Sequence, residues 1–124
     1  MTIEVKINKA VADHTKIRDS EKNCIFCDQA PDRTMVNGHY EKRSKAFSRV
    51  ELYLANSNQM HFRCNQMDEK EDYLQQVNFR ANMTRRYGES LVEEIEKEGL
   101  RVVKNSIWDK KEILKEIKQL TKKL

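Results

Sequence analysis

Two pairs of residues with the same two-residue gap, Cys24-Ile25-Phe26-Cys27 and His61-Phe62-Arg63-Cys64, constrain this chain more than anything else in it. A gap of two lets a tight turn aim both side chains at one point. Four nitrogen and sulfur donors brought together in that way are what a structural zinc prefers. The competing reading is three buried free cysteines and a chance histidine. Two matched pairs in a chain with only three cysteines argue against it. The pairs enclose residues 28–60, a longer insert than a simple zinc finger carries. The insert is therefore expected to be folded structure tied at its base by metal. Asn37-Gly38-His39-Tyr40 lies inside it, and Asn65 follows the last cysteine.

Length and composition narrow the class. With 124 residues, the expectation is a single domain over 1–124. It divides into an N-terminal arm and helix (1–23), a zinc-bound core (24–87) and C-terminal helices (88–124). Hydrophobic residues make up 38% and charged residues 35%, a thin core that a metal staple would stabilise. Three glycines, one proline and many Lys, Glu, Leu, Gln and Arg favour helix. The net charge of +4 suits either a polyanionic partner or an ordinary basic protein. Met1 to Asp13 has no long apolar run, so neither a secretory leader nor a membrane span is expected. The odd cysteine count speaks against a disulfide framework and for the reducing cytosol.

Periodicity supplies the elements. Ile3, Val5 and Ile7 alternate, which predicts a short strand or ordered arm over 1–9, with a helix over 10–19. Thr34-Met35-Val36 reads as a strand running into a turn at Asn37-Gly38, leaving His39 fixed and exposed at the strand end. Val50, Leu52 and Leu54 alternate with Glu51, Tyr53 and Ala55, the pattern of a half-buried strand or extended segment, and Asn56-Ser57-Asn58 breaks it. From Asn65 the pattern becomes helical: Met67, Leu74, Val77 or Phe79, Met83 and Tyr87 share a face, and Gly88 caps it. A second helix spans about 89–98, with Leu91, Val92 and Ile95 inside and Gly99 as its stop. Ser106 caps a last helix carrying the stripe Ile113, Ile117, Leu120 and Leu124, either packed on its own domain or serving as a dimer surface.

His39 is the candidate catalytic residue. Beside a glycine at a strand end, it can take a proton from a water attacking a phosphodiester, while Mg²⁺ or Mn²⁺ stabilises the leaving 3′ oxygen. Asn56 can orient the imidazole through its side-chain carbonyl, and Asn65 can offer its own to the metal. A plain hairpin histidine among turn asparagines is the alternative. Lys42, Arg43, Lys45, Arg49 and Arg63 flank the site and can contact phosphate, and Arg80 with Arg85 and Arg86 can extend that surface. An ordinary solvated loop has the same composition.

With these residues in view, the chain resembles the NinG/Rap family of lambdoid phage recombination endonucleases, relatives of the HNH or ββα-metal nucleases. The likeness covers about residues 11–124. It rests on Cys24-x2-Cys27, on Gly38-His39-Tyr40 with Arg43, on Asn56 (or Asn58) and on Cys64-Asn65. Phe79-Arg80, Gly88 and Trp108 continue it downstream. His61 stands in place of a cysteine and Phe79 in place of a tyrosine. Gly38 falls where many HNH nucleases have a metal-binding aspartate. The resemblance implies an α+β fold with a zinc-stapled, treble-clef-like ββα finger followed by a helical C-terminal region. It implies metal-dependent cleavage of branched recombination intermediates, Holliday junctions or D-loops, in the host cytosol beside phage or host recombination proteins. His39 would be the base, Asn56 its orienting partner, Asn65 a metal ligand and Arg43 a phosphate contact. The alternative is a zinc-containing module that binds DNA without cutting it.

Overall fold

The computed structural model describes residues 1–42, 46–100 and 105–124. They form six helices and one two-stranded sheet, a mixed α/β arrangement. The order is α1 (Ile3–Arg18), β1 (Met35–His39), α2 (Val50–Asn56), β2 (Ser57–His61), α3 (Phe62–Asp68), α4 (Tyr73–Tyr87), α5 (Glu89–Gly99) and α6 (Ile107–Lys122).

The predicted N-terminal strand is instead the start of α1. Thr2 caps it, its hydroxyl accepting from the Val5 N–H at 3.3 Å. Ile3 and Ile7 fit a helical stripe as well as an alternating one. The helical stripe continues through Ala10, Val11 and His14, while Val5 faces solvent. That stripe packs along α6, where Ile113 and Ile117 are buried as predicted, Leu120 is half-buried and Leu124 is exposed. Burying each such aliphatic side chain is worth about 1.5–3 kcal/mol. His14 Nδ1 lies 2.9 Å from the Thr121 hydroxyl and fixes the register of the two helices. Ser106 caps α6 as expected, accepting from the Asp109 N–H at 3.1 Å.

The strands pair antiparallel, Met35 opposite His61 and His39 opposite Ser57. Asn37 and Gly38 are strand interior, not a turn. A Cβ on Gly38 would run into the Met60 side chain, which would have to shift to admit any larger residue. The predicted strand over 50–55 is the helix α2. Leu52, Tyr53, Ala55 and Asn56 are buried around most of its circumference, so no single face governs its pattern. Asn56-Ser57-Asn58 does not interrupt a strand; β2 begins at Ser57. The long helix predicted from Asn65 is two, α3 and α4, divided at residues 69–72, where Glu71 has φ 52° and Asp72 caps α4. Phe79 and Met83 are buried, while Met67, Leu74 and Val77 are exposed. Gly88, with φ 89°, ends α4 and begins α5, in which Val92 and Ile95 are buried.

A buried ion pair secures the junction of α2 and β2. Arg18 Nε donates to Asp19 at 2.7 Å, and its other nitrogens donate to Leu54 O at 2.8 Å, Ser57 O at 2.6 Å and Asn58 Oδ1 at 3.1 Å. Asp19 also accepts from the Gln59 N–H at 3.1 Å. Burial raises the Asp19 pKa, but the Arg18 hydrogen bonds and charge outweigh it, and the net shift is downward.

Candidate functional site

Cys24, Cys27, His61 and Cys64 converge as the spacing predicts. Their ligand atoms all lie within 4.8 Å of one another. A tetrahedron of zinc–sulfur bonds of about 2.3 Å needs ligand separations of about 3.8 Å, so the group could hold zinc. His61 Nε2 is 3.0 Å from Ala30 O and donates its proton there. That sets the tautomer and leaves Nδ1 to face the thiols, 3.3 Å from Cys27 Sγ and 3.9 Å from Cys64 Sγ. Cys24 Sγ accepts from the His61 N–H at 3.4 Å. Burial, then the neighbouring Cys24 and Cys27 sulfurs, push the Cys64 thiol well above its ordinary pKa. A cation at the centre would reverse that balance.

The first pair sits on a turn closed by Asp28 N–H to Cys24 O at 2.8 Å and Cys24 N–H to Gln29 O at 2.9 Å. The second pair spans the end of β2 and the first turn of α3. Asn82 on α4 braces the first turn, donating to Ile25 O at 3.0 Å and Phe26 O at 3.1 Å. Phe79, one helical turn earlier on α4, meets Phe26 edge-on at 5.4 Å and Tyr40 edge-on at 5.1 Å. One ring thus joins the metal turn to the residue after His39. The Tyr40 hydroxyl donates to Glu96 Oε2 at 2.6 Å.

His39 ends β1 and opens into a cleft of about 440 Å³ with Glu41, Lys42, Phe47, Tyr53 and Asn56. Glu4, Asn8 and Val11 of α1 complete the wall. The imidazole is exposed to the cleft. Surrounding protein atoms and then the Lys42 charge hold its pKa below the ordinary 6.5. It is therefore neutral, able to accept a proton at neutral pH.

Asn56 lines the same cleft, but its amide is committed elsewhere. Oδ1 accepts from the Glu41 N–H at 2.7 Å and Nδ2 donates to Glu41 O at 3.1 Å. Its backbone O also accepts from the Tyr40 N–H at 3.0 Å. Asn56 thus braces the chain just after His39 instead of turning the imidazole. Asn58, the alternative at this position, is a buried structural residue bonded to Arg18, Tyr87 and Ala55 O. Asn65 lies on α3 and is not among the residues lining the cleft.

The basic residues divide. Lys42 is ion-paired with the buried Asp68. Arg49 is paired with Glu94 and lies 3.5 Å from Glu51. Arg80 is tied to Glu96 at 3.0 Å and Glu89 at 2.9 Å, and those bonds raise its pKa further. Arg63 is exposed on the first turn of α3, with no ion pair among the described residues. Arg43 and Lys45 lie outside the described residues. Sequence reasoning misses the contribution of Glu4 and Asn8, because the alternation before residue 10 predicts a short strand or ordered arm where α1 begins at Ile3. It also misses Asp68, one turn beyond Cys64 on α3.

The fold and the Cys₃His group define a small mixed α/β protein with a candidate zinc centre beside a histidine-bearing cleft. The family profile described as Bacteriophage Lambda NinG protein matches residues 2–124. The chain belongs to the bacteriophage lambda NinG family. No curated protein and no solved structure matches it. No helix among the described residues is long and apolar enough to cross a membrane.

Proposed function

We infer that this protein is a structure-specific DNA endonuclease of phage recombination, cutting branched intermediates such as Holliday junctions or D-loops in the host cytosol. One observation carries the reading: His39, neutral and accessible, ends a strand at the mouth of a cleft walled by Lys42, Glu41 and Asn56. The relation to Rap and to the HNH nucleases belongs to the same reading. An antiparallel pair running directly into α3, with zinc at its base, would then correspond to a treble-clef-like ββα finger.

In this mechanism His39 takes the proton of the attacking water. Asn56 holds the backbone of residues 40–41 so that the histidine keeps its place. Lys42, on the cleft wall, meets phosphate, with Arg43, Lys45 and Arg63 as the further contacts expected from sequence; Arg63 does not line the cleft. Zinc at Cys24, Cys27, His61 and Cys64 is structural, since four protein ligands leave no open position. Bound Mg²⁺ or Mn²⁺ would supply charge stabilisation at the leaving oxygen, but Asn65, the ligand expected from sequence, does not line the cleft. Apart from the Cys₃His group, no cluster of three His, Cys, Asp or Glu side chains converges on a point among the described residues. No step is therefore assigned to that ion.

A second reading has its own observation. Met60 occupies the space beside Gly38, where HNH nucleases carry an aspartate, and a side chain there would have to displace it. A module that binds branched DNA without cutting it would need none. Cleavage of a four-way DNA junction and of a linear duplex in Mg²⁺ or Mn²⁺, by wild type and His39→Ala, separates the two. Junction cutting lost in a folded His39→Ala protein supports the nuclease. Salt-dependent binding without cutting supports the module. Recombination proteins as partners, or a homodimer, would appear as a concentration-dependent mass.

A further inference from the structure

Asp68 is fully buried at the end of α3, yet a carboxylate is rarely buried without a partner. Its Oδ1 accepts from Gln76 Nε2 at 2.5 Å. Its Oδ2 receives no hydrogen bond, and the Lys42 ammonium lies against that oxygen off the hydrogen-bonding direction. Lys42 stands where two cavities meet. One is the His39 cleft; the other, of about 270 Å³, is lined by Tyr40, Glu41, Gln76 and Glu96 among others. The lysine that borders the histidine is thus held from behind by a group that solvent does not reach.

We propose that Asp68 is a positioning residue of this site. It fixes the Lys42 ammonium on the cleft wall, so that one positive charge stands at a set place beside His39 and the phosphate in the cleft. This rests on the nuclease reading for its catalytic consequence, but not for its geometry. A free lysine spreads its charge over many rotamers, whereas a lysine against a buried carboxylate presents it in one. The charge does two things there. It offsets the negative charge that develops on the phosphate, and it disfavours protonation of the histidine. Among the described residues the other ionisable groups on the cleft are Glu4 from α1, Glu41 beside Lys42, and Tyr53 from α2.

The test uses the full-length, zinc-loaded chain with Lys42→Met, Lys42→Arg, Asp68→Asn and the Lys42→Met/Asp68→Asn double variant. Junction cleavage and an NMR titration of the His39 ring are measured for each. Lys42→Met should lower kcat about 100-fold, as when a fixed group is taken from developing charge. Asp68→Asn should lower it about tenfold with KM unchanged, because the ammonium remains but wanders. The double variant should match Lys42→Met alone, and Lys42→Arg, which keeps the charge, should lose less than Lys42→Met. The double variant also removes the risk that Lys42→Met leaves a buried carboxylate without a countercharge and fails to fold.

The titration gives the sign that a merely structural role would not. Removing the Asp68 charge by itself would lower the His39 midpoint; releasing the ammonium raises it. A rise in Asp68→Asn supports the proposal, and a fall or no change overturns it. Losses that multiply in the double variant overturn it as well. So does recovery of Asp68→Asn at raised Mn²⁺, which would make Asp68 a metal ligand. If wild type never cuts, the nuclease reading fails and the titration alone decides the role of Asp68.

Discussion

Replacing Phe79 with leucine should lower the stability of the zinc-loaded protein by about 2–4 kcal/mol. Phe79 is 1% exposed and lies edge-on to Phe26 and to Tyr40, with ring planes at 70° and 80°. Two such pairs contribute about 1–3 kcal/mol together beyond the area they bury. The smaller leucine leaves a void worth on the order of 1 kcal/mol more. For a domain of this size the sum is a large part of a total stability of about 5–15 kcal/mol. Urea unfolding followed by far-ultraviolet circular dichroism, at fixed excess zinc, measures the loss. The midpoint should fall with little change in slope, since the surface exposed on unfolding is nearly the same. Zinc content of the folded variant should stay at the wild-type value, because no ligand is touched. A loss below about 1 kcal/mol would refute the argument. It would mean that the metal turn and the residue after His39 are each held without the ring between them.

Other substitutions test separate parts of the structure. Cys64→Ser should release zinc and melt well below wild type, seen by metal analysis and calorimetry; retained zinc and an unchanged melt would remove Cys64 from the ligand set. Gly38→Ala should destabilise by about 1–3 kcal/mol through its clash with Met60. In a Met60→Ala background, measured against Met60→Ala alone, the same substitution should cost less in urea melts, because the clashing side chain is gone. His14 has a pKa held below 6.5, first by burial and then by Arg18. Its folded pKa is depressed, so its contribution is present above about pH 6.5 and lost as pH falls through the folded value. Between pH 7.5 and 5.5 wild type should therefore lose more stability than His14→Gln, measured by urea melts at equal zinc.

Some of this was legible in the sequence and some was not, for physical reasons. The Cys₃His group was readable because metal ligands depend on spacing, and two-residue gaps survive any arrangement of the insert. Ser106 and Gly88 were readable as helix signals because their chemistry is local. His39 was placed at a strand end, where it lies, although the turn expected before it is strand. The segment over 50–55 misled because a short helix buried on most sides shows no helical period, and Val50, Leu52 and Leu54 happen to alternate. Ile3, Val5 and Ile7 misled because positions four apart satisfy both periods. The commitment of Asn56 to Glu41 and the pairing of Lys42 with Asp68 are tertiary, between residues 15 and 26 positions apart, and no local pattern announces them.

The packing of α1 along α6 has a consequence for how the protein comes into being. Lys110 pairs with Glu4 across the chain, as His14 does with Thr121, and α1 packs more extensively on α6, which carries Ile113 and Ile117, than on any other element. During synthesis at about 5–20 residues per second, the first helix emerges seconds before its partner exists. The packing of its apolar stripe, and with it the cleft wall that Glu4 and Asn8 form, is complete only once α6 arrives. The half-made chain could bind metal at Cys24, Cys27, His61 and Cys64 well before that cleft is complete, so metal loading can precede the assembly of a working site.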